Sequence, residues 1–233
     1  MVLAKSILSG FAHIFYPRVC GVCNTDLIHA EKVICLSCLY KMPLTRFWDD
    51  ADNPIAQTFW GRVEIENACA YFFFAKGSKY RPLLHQLKYR GKYEIGVELG
   101  LVFGQTLAKS HLYKEINYTI PVPLHPKKLR IRGYNQAEAI AEGIAKGLGI
   151  GMDTSHLVRK EFTETQTRKS RTERVKNVAD AFELKNGSEL KGKHLLLVDD
   201  VITTGATIEA CAAKLLTVDG CKVSVGALAY ANT

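Results

Sequence analysis

Three short runs, YTIPVP (Tyr118 to Pro123), HLLLV (His194 to Val198) and KVSVGALAY (Lys222 to Tyr230), are apolar almost throughout and are separated by stretches of helical spacing. A strand with one wet face alternates apolar and polar residues, so runs this continuous require strands covered on both faces. The cover is visible in the sequence: Ile95, Leu99, Val102 and Phe103 recur at helical intervals, as do Ala137, Ile140, Ala141 and Ile144, and again Ile208, Cys211, Ala212 and Leu215. Alternating helices and buried strands predict an α/β domain with a mostly parallel sheet flanked by helices. Upstream, NACAYFFFA (Asn67 to Ala75) reads as a further strand. Arg81-Pro82 opens a helix ending near Arg90-Gly91, proline being tolerated in a first turn. Ligands of such sheets bind beyond the carboxyl ends of the strands. That rule selects the loops after Pro121, Val158 and Val198.

At 233 residues, 47% of them hydrophobic, the chain is long enough for one domain with an appendage, or two small ones. No window reaches the roughly 18 apolar residues of a membrane span. The opening MVLAKSILSGFAHIFYP has no long apolar region with a small-residue cleavage site and reads as an amphipathic helix. The expectation is a cytoplasmic protein without membrane insertion. The formal charge of +8 sits in two places: Lys127, Lys128, Arg130 and Arg132 contribute +4, and seven basic residues against three glutamates between Arg159 and Lys176 contribute another +4. Charge confined in this way points to an anionic ligand, phosphates or nucleic acid, although either segment alone could be a solvated loop.

Four of the seven cysteines form two C-x-x-C pairs, Cys20 with Cys23 and Cys35 with Cys38, eleven residues apart. That spacing lets four thiolates converge tetrahedrally on one zinc ion, and a closed set of four protein ligands makes the metal structural. Two disulfides or a redox pair fit less well, and His29 is not needed as a ligand. A knuckle over about residues 16 to 45 is too short for its own core, so metal binding and local folding are coupled. Zinc knuckles also occur in nucleic-acid binders. Cys69, Cys211 and Cys221 lie in apolar segments and read as small core residues. From Lys41 to Arg62 the chain is irregular and reads as a linker packed on its neighbour. The division expected is 1–62, knuckle and linker, and 63–233, the α/β domain.

After HLLLV come Asp199 and Asp200, then Val201, Ile202, Thr203, Thr204, Gly205, Ala206 and Thr207, with a helix expected from near Thr204. Unpaired N–H groups at that N-terminus, the threonine hydroxyls and Gly205 suit a phosphate. The loop lacks the lysine of a P-loop, and no G-x-G-x-x-G opens a helix. Two carboxylates beside a phosphate cradle make sense for a sugar phosphate, whose vicinal hydroxyls donate to the acids. A helix cap would explain one of them. In Arg132-Gly133-Tyr134-Asn135-Gln136, Asn135 with Glu138 resembles a capping box, which leaves Arg132 and Gln136 as candidate contacts.

LLLVDDVITTGAT resembles the phosphoribosyl-pyrophosphate (PRPP) signature of type I phosphoribosyltransferases. PVPLH (Pro121, Val122, Pro123, Leu124 and His125) is similar to the pyrophosphate loop of the amidophosphoribosyltransferases, and Arg159 to Asn177 resembles their mobile catalytic loop. Together with the two C-x-x-C pairs, LKYRG (Leu87 to Gly91) and PVPLHPKKLRIRGYNQAE, the chain resembles the ComF family, phosphoribosyltransferase-like proteins associated with competence and DNA uptake. The resemblance implies a type I phosphoribosyltransferase fold with a small N-terminal zinc subdomain. It also implies that Asp199 and Asp200 hold ribose hydroxyls and Thr203 to Thr207 the 5-phosphate. The implied reaction is magnesium-dependent transfer of ribosyl 5-phosphate with release of pyrophosphate, through an oxocarbenium-like transition state. Lys88 and the Pro121–His125 turn would bind the diphosphate, Arg168, Lys169, Arg171 and Arg174 would close over it, and Gln166 and Asn177 would shape the closed loop. The sequence names no acceptor and no general base. Two alternatives stand beside the enzyme: a non-catalytic single-stranded DNA binder working with competence-machinery proteins, with Tyr89, Tyr93 and Tyr134 available to stack bases, and a PRPP-sensing regulator.

Overall fold

The computed structural model describes residues 18–160 and 181–231. The amphipathic opening and the segment carrying Gln166, Arg168, Lys169, Arg171, Arg174 and Asn177 lie outside them. The strands are β1 (Ala68–Phe73), β2 (Tyr118–Pro121), β3 (Gly151–Met152), β4 (Leu157–Arg159), β5 (Phe182–Leu184), β6 (His194–Ile202) and β7 (Lys222–Tyr230). Five of them form one sheet in the order β1-β7-β6-β2-β3, every pair parallel, while β4 and β5 make a separate antiparallel hairpin. The helices are α1 (Leu36–Tyr40), α2 (Pro54–Gln57), α3 (Arg81–Tyr89), α4 (Tyr93–Leu107), α5 (Pro126–Arg132), α6 (Gln136–Leu148) and α7 (Ala206–Leu215).

The central strand accounts for the apolar run. His194 to Val198 are all buried, with Leu196 and Val198 in the core on one face and Leu195 and Leu197 in the core on the other. Helices α4 and α6 join the first core through Ile95, Leu99, Phe103 and Leu107 and through Ile140, Ala141 and Ile144, while Ile208, Cys211 and Leu215 of α7 and Phe182 of β5 join the second. Cys69, Cys211 and Cys221 are buried, as their apolar surroundings predict. Among the described residues, no helix is long and apolar enough to cross a membrane.

Two boundaries differ from the expectation. The strand does not end at Val198: the ladder with β7 continues to Ile202 opposite Tyr230, because β7 is itself apolar to its end and keeps offering partners. Asp199 and Asp200 are therefore strand residues, and the following helix starts at Ala206 rather than near Thr204. Helix α5 was not foreseen, because it buries no residue and has no amphipathic period to read. It is held at its start by His125, whose Nδ1 accepts from Lys127 N at 3.1 Å.

Helices α4 and α6 approach backbone to backbone at four glycines. Gly100 and Gly104 of one face Gly143 and Gly147 of the other, and a β-carbon on Gly147 would stand 2.6 Å from both Gln105 N and Leu101 O. At Gly143 it would collide with the Val97 carbonyl oxygen. Outside the sheet, the cysteine knuckle docks on α3: Cys20, Cys35 and Cys38 share a core with Leu83, Leu84 and Leu87. Tyr80 donates to Cys38 O at 2.9 Å and Gln86 to Gly21 O at 3.1 Å. The linker then runs along the sheet edge, where Phe73 N donates to Pro43 O at 2.8 Å and Thr45 N to Tyr71 O at 3.1 Å.

Helix propensity alone would make Gly143→Ala stabilising by about 1 kcal/mol. The collision with Val97 reverses the sign, and a loss of about 1–3 kcal/mol is expected in chemical denaturation.

Candidate functional site

The strand order sets the site. β2 leads through α5 and α6 to β3 on one side, β6 leads through α7 to β7 on the other, and the chain diverges between the two adjacent strands. A crevice forms at the carboxyl ends of strands at such a switch point. Here it is an open cavity of about 180 Å3, lined by Val122, Pro123 and Leu124 after β2, Asp199 and Asp200 of β6, and Lys88, Lys128, Arg132 and Arg159. Asn135, Gln136, Ala137 and Thr207 complete its wall. A smaller hollow of about 50 Å3 lies in the loop from Val201 to Ile208 and shares Asp199 and Thr207 with the first. The two are adjoining compartments of one site.

The carboxylates separate the compartments. The strand pleat turns neighbouring side chains to opposite faces. Asp200 is reached by Lys88 of α3, Nζ to Oδ2 at 3.0 Å, while Asp199 lies toward α7, where its charge adds to burial in pushing up the Cys211 thiol. Burial first, then the charge of Asp200, push the Asp199 carboxyl up to about 7; Lys88 and Lys128 oppose that shift. Its Oδ1 accepts from Asp200 N at 2.7 Å.

The smaller compartment is a helix N-terminus without a side-chain cap. Gly205, at φ +74, takes the capping position of α7 and no side chain accepts from the first turn. The first N–H groups of α7 therefore lack the partner that a Ser or Asp cap would supply. Gly205 is also required sterically, since a β-carbon there would lie 2.8 Å from the Phe59 ring. Arg62 braces the loop from behind, donating to Thr204 O and Thr58 O at 3.0 Å each and pairing with Glu209.

In the loop after β2, Val122 N–H is spent on Val198 O at 2.8 Å, and Pro121 and Pro123 have none. Any backbone donation from this turn falls to Leu124 and His125. Arg132 donates to Gln136 Oε1 at 2.6 Å and lies 5.4 Å from the Tyr89 ring centre. Gln136 Nε2 donates to Tyr134 O at 3.0 Å, so both ends of this amide are engaged, while Arg132 lines the cavity with one of its five N–H donors spent on Gln136. Asn135 caps α6 by accepting from Ala137 N at 3.1 Å, and its Nδ2 ties the helix to Val122 O at 3.0 Å.

The structure thus brings together Lys88, the turn after β2, Arg132, Gln136, both aspartates and the Thr loop. Lys128, Asn135 and Arg159 also line the cavity and were not singled out as site residues from sequence. Lys128 and Asn135 stand inside PVPLHPKKLRIRGYNQAE and could have been found there; Arg159 was hidden at the edge of a basic segment read as a loop.

At the knuckle, the Sγ atoms of Cys20, Cys23, Cys35 and Cys38 all lie within 4.8 Å of one another. Cys35 N and Cys38 N donate to Cys20 Sγ and Cys35 Sγ at 3.3 and 3.4 Å. A hydrogen bond with Thr25 draws the Cys23 thiol down to about 6, whereas burial pushes Cys38 up to about 12. A dication is what would make four adjacent thiolates compatible, and the all-sulfur donor set fits tetrahedral zinc.

A family model described as the phosphoribosyl transferase domain matches residues 135–233. The DNA utilization protein YhgH of Salmonella typhi is 32% identical over 146 residues, which cover 60% of this chain and 63% of that protein. Competence protein ComFC of Bacillus subtilis is 32% identical over 137 residues, 58% of this chain and 53% of that protein. The matched regions span less than two thirds of these relatives' length. A glutamine PRPP amidotransferase structure from B. subtilis aligns with a TM-score of 0.43 and 18% identity, covering 61% of this chain and 30% of that one.

The raised Asp199 carboxyl gives a pH prediction. Well below pH 3.8 the group is neutral folded or unfolded; well above pH 7 it is ionised in both, and the folded state bears the full cost of the buried charge. Stability therefore falls as pH rises between these limits. Asp199→Asn is expected to melt higher than the parent at pH 8, by on the order of a few degrees, and the difference should close toward pH 4.

Proposed function

We propose, for a chain that is a homologue of the ComF and YhgH proteins and carries a phosphoribosyl transferase domain on a type I phosphoribosyltransferase fold, that the crevice binds PRPP and transfers its ribosyl 5-phosphate group. The observation that carries this reading is the shared wall of the two compartments. A cationic half, a pair of carboxylates and an uncapped helix N-terminus follow one another in space, as diphosphate, ribose hydroxyls and 5-phosphate do along PRPP. Lys88, Lys128 and Arg132 take the diphosphate. Asp199 and Asp200 accept from the ribose hydroxyls, and the first turn of α7 with Thr203, Thr204 and Thr207 takes the 5-phosphate.

Displacement of pyrophosphate leaves positive charge on the ribose ring and gathers negative charge on the leaving group. Cations fixed at the diphosphate end and carboxylates under the ring oppose both costs, and positioning supplies the remainder. Lys88 must give up part of its pairing with Asp200 as the ligand enters, so binding exchanges one ion pair for another. A magnesium ion bound with the ligand would add charge neutralisation, and Asp199 and Asp200 offer the oxygen donors that would hold it. The knuckle holds zinc as a structural ion, the setting is cytoplasmic, and the activity serves DNA uptake or use.

One surface favours a second reading, single-stranded DNA binding. On α5, Leu129 and Ile131 are 43% and 78% exposed among Lys127, Lys128, Arg130 and Arg132, and on α3 the 58% exposed Tyr89 has its ring centre 5.0 Å from that of His85, tilted at 45°. Basic groups interleaved with exposed apolar and aromatic side chains are what a sequence-tolerant single-strand binder uses.

Calorimetric titration with PRPP in magnesium should show binding by the parent, weakened at least tenfold in the Asp199→Asn, Asp200→Asn double variant. Turnover against a panel of nucleobases and amines then separates an enzyme from a sensor, and a parent that fails to bind PRPP refutes the reading. Single-strand binding that falls steeply with salt and survives the double substitution would assign the α5 surface to DNA. Metal analysis of reduced protein should give one zinc per chain, lost together with stability in Cys35→Ser.

A further inference from the structure

We infer that Arg159 is a further positioning residue of this crevice, contacting a phosphate oxygen of the bound ligand from the α7 side. The inference rests on the reading that the crevice takes a phosphorylated sugar.

Arg159 ends β4, in the hairpin that stands apart from the main sheet, and its side chain lines the cavity together with Asp199 and Thr207. Its guanidinium lies 5.1 Å from the Phe182 ring centre, which fixes the stem and one face of the fork. The Nε atom is buried and has no hydrogen-bond partner. The residue as a whole is half-buried, and a guanidinium nitrogen removed from water is ordinarily met by a carboxylate or by carbonyl oxygens. Among the described residues no ion pair or hydrogen bond reaches this one. Asp199 is not its counter-ion either: the cations whose charge acts on Asp199 are Lys88 and Lys128. The one neighbouring group that would favour its charge is the Cys211 thiol, and burial pushes that thiol well above its ordinary range, so it is protonated. Burial accordingly draws the guanidinium pKa down.

A cation that bears a desolvation cost, has no anionic partner among the described residues and faces a cavity is arranged for an anion that arrives with the ligand. Thr207, which lines both compartments, puts Arg159 within reach of either end of a sugar phosphate, so the oxygen belongs to the 5-phosphate or to the diphosphate.

The test compares the parent with Arg159→Met, which keeps the packing over Phe182, and Arg159→Lys, which keeps the charge without the fork. Each is melted without ligand and titrated with ribose 5-phosphate, inorganic pyrophosphate and PRPP. Arg159→Met should melt at or above the parent's midpoint, because an unpaired buried charge has been removed. It should bind PRPP about ten- to a hundredfold more weakly, with Arg159→Lys between the two. The smaller probe whose affinity falls with PRPP identifies the phosphate contacted. A variant that melts lower and binds every probe as the parent does would make Arg159 a structural brace and overturn the inference. Unchanged affinity at any stability overturns it equally, without touching the PRPP reading. A parent that binds none of the three probes refutes that reading and this one together.

Discussion

The structure is organised by one constraint: β6 is buried on both faces for five residues and then has to carry two carboxylates out of the core without leaving the sheet. The ladder with β7 continues through Ile202, so the backbone polar groups stay paired while only the side chains change character. Asp199 and Asp200 can be borne there because cations arrive from elements on other parts of the chain, Lys88 from α3 and Lys128 from α5. The positive lining of the crevice and the acidic strand end are therefore a single electrostatic arrangement. The cost left over is visible in the raised Asp199 carboxyl.

Much of this was legible in the sequence, for reasons that can be named. Buried strands and amphipathic helices have periods, which is why β1, β2, β7, α4, α6 and α7 lie where the apolar residues place them. The site loops were legible because they follow strands, and the four cysteines because their spacing is set by coordination geometry. What escaped has no period. Helix α5 is exposed on every side, β4 and β5 are three residues each, and the extent of β6 depends on a partner strand some twenty residues later. Arg159 escaped because only the folded chain brings it over Phe182 and into one cavity wall with Thr207.

The knuckle and the crevice are mechanically joined. Cys20, Cys35 and Cys38 pack on Leu83, Leu84 and Leu87, and the next residue of that helix is Lys88. The position of the lysine is thereby set on one side by the packing of the cysteine cluster and on the other by Asp200. Tyr134, whose hydroxyl bonds Leu87 O, fastens the same helix end to the turn that precedes α6. The cysteine cluster, remote from the crevice, thereby helps to fix where one of the crevice cations stands.

The strand order also has a temporal side. Among the described strands β1 pairs with β7, the last of them along the chain, while β2 and β3 lie toward the opposite edge. During synthesis from the N-terminus, β1 and the linker laid along it have no sheet to join until residues 222–230 emerge. Contacts this distant in sequence make folding slow and leave an aromatic strand, ACAYFF, waiting uncovered. The same closure that gives the sheet its switch point makes its first strand the most exposed to premature association.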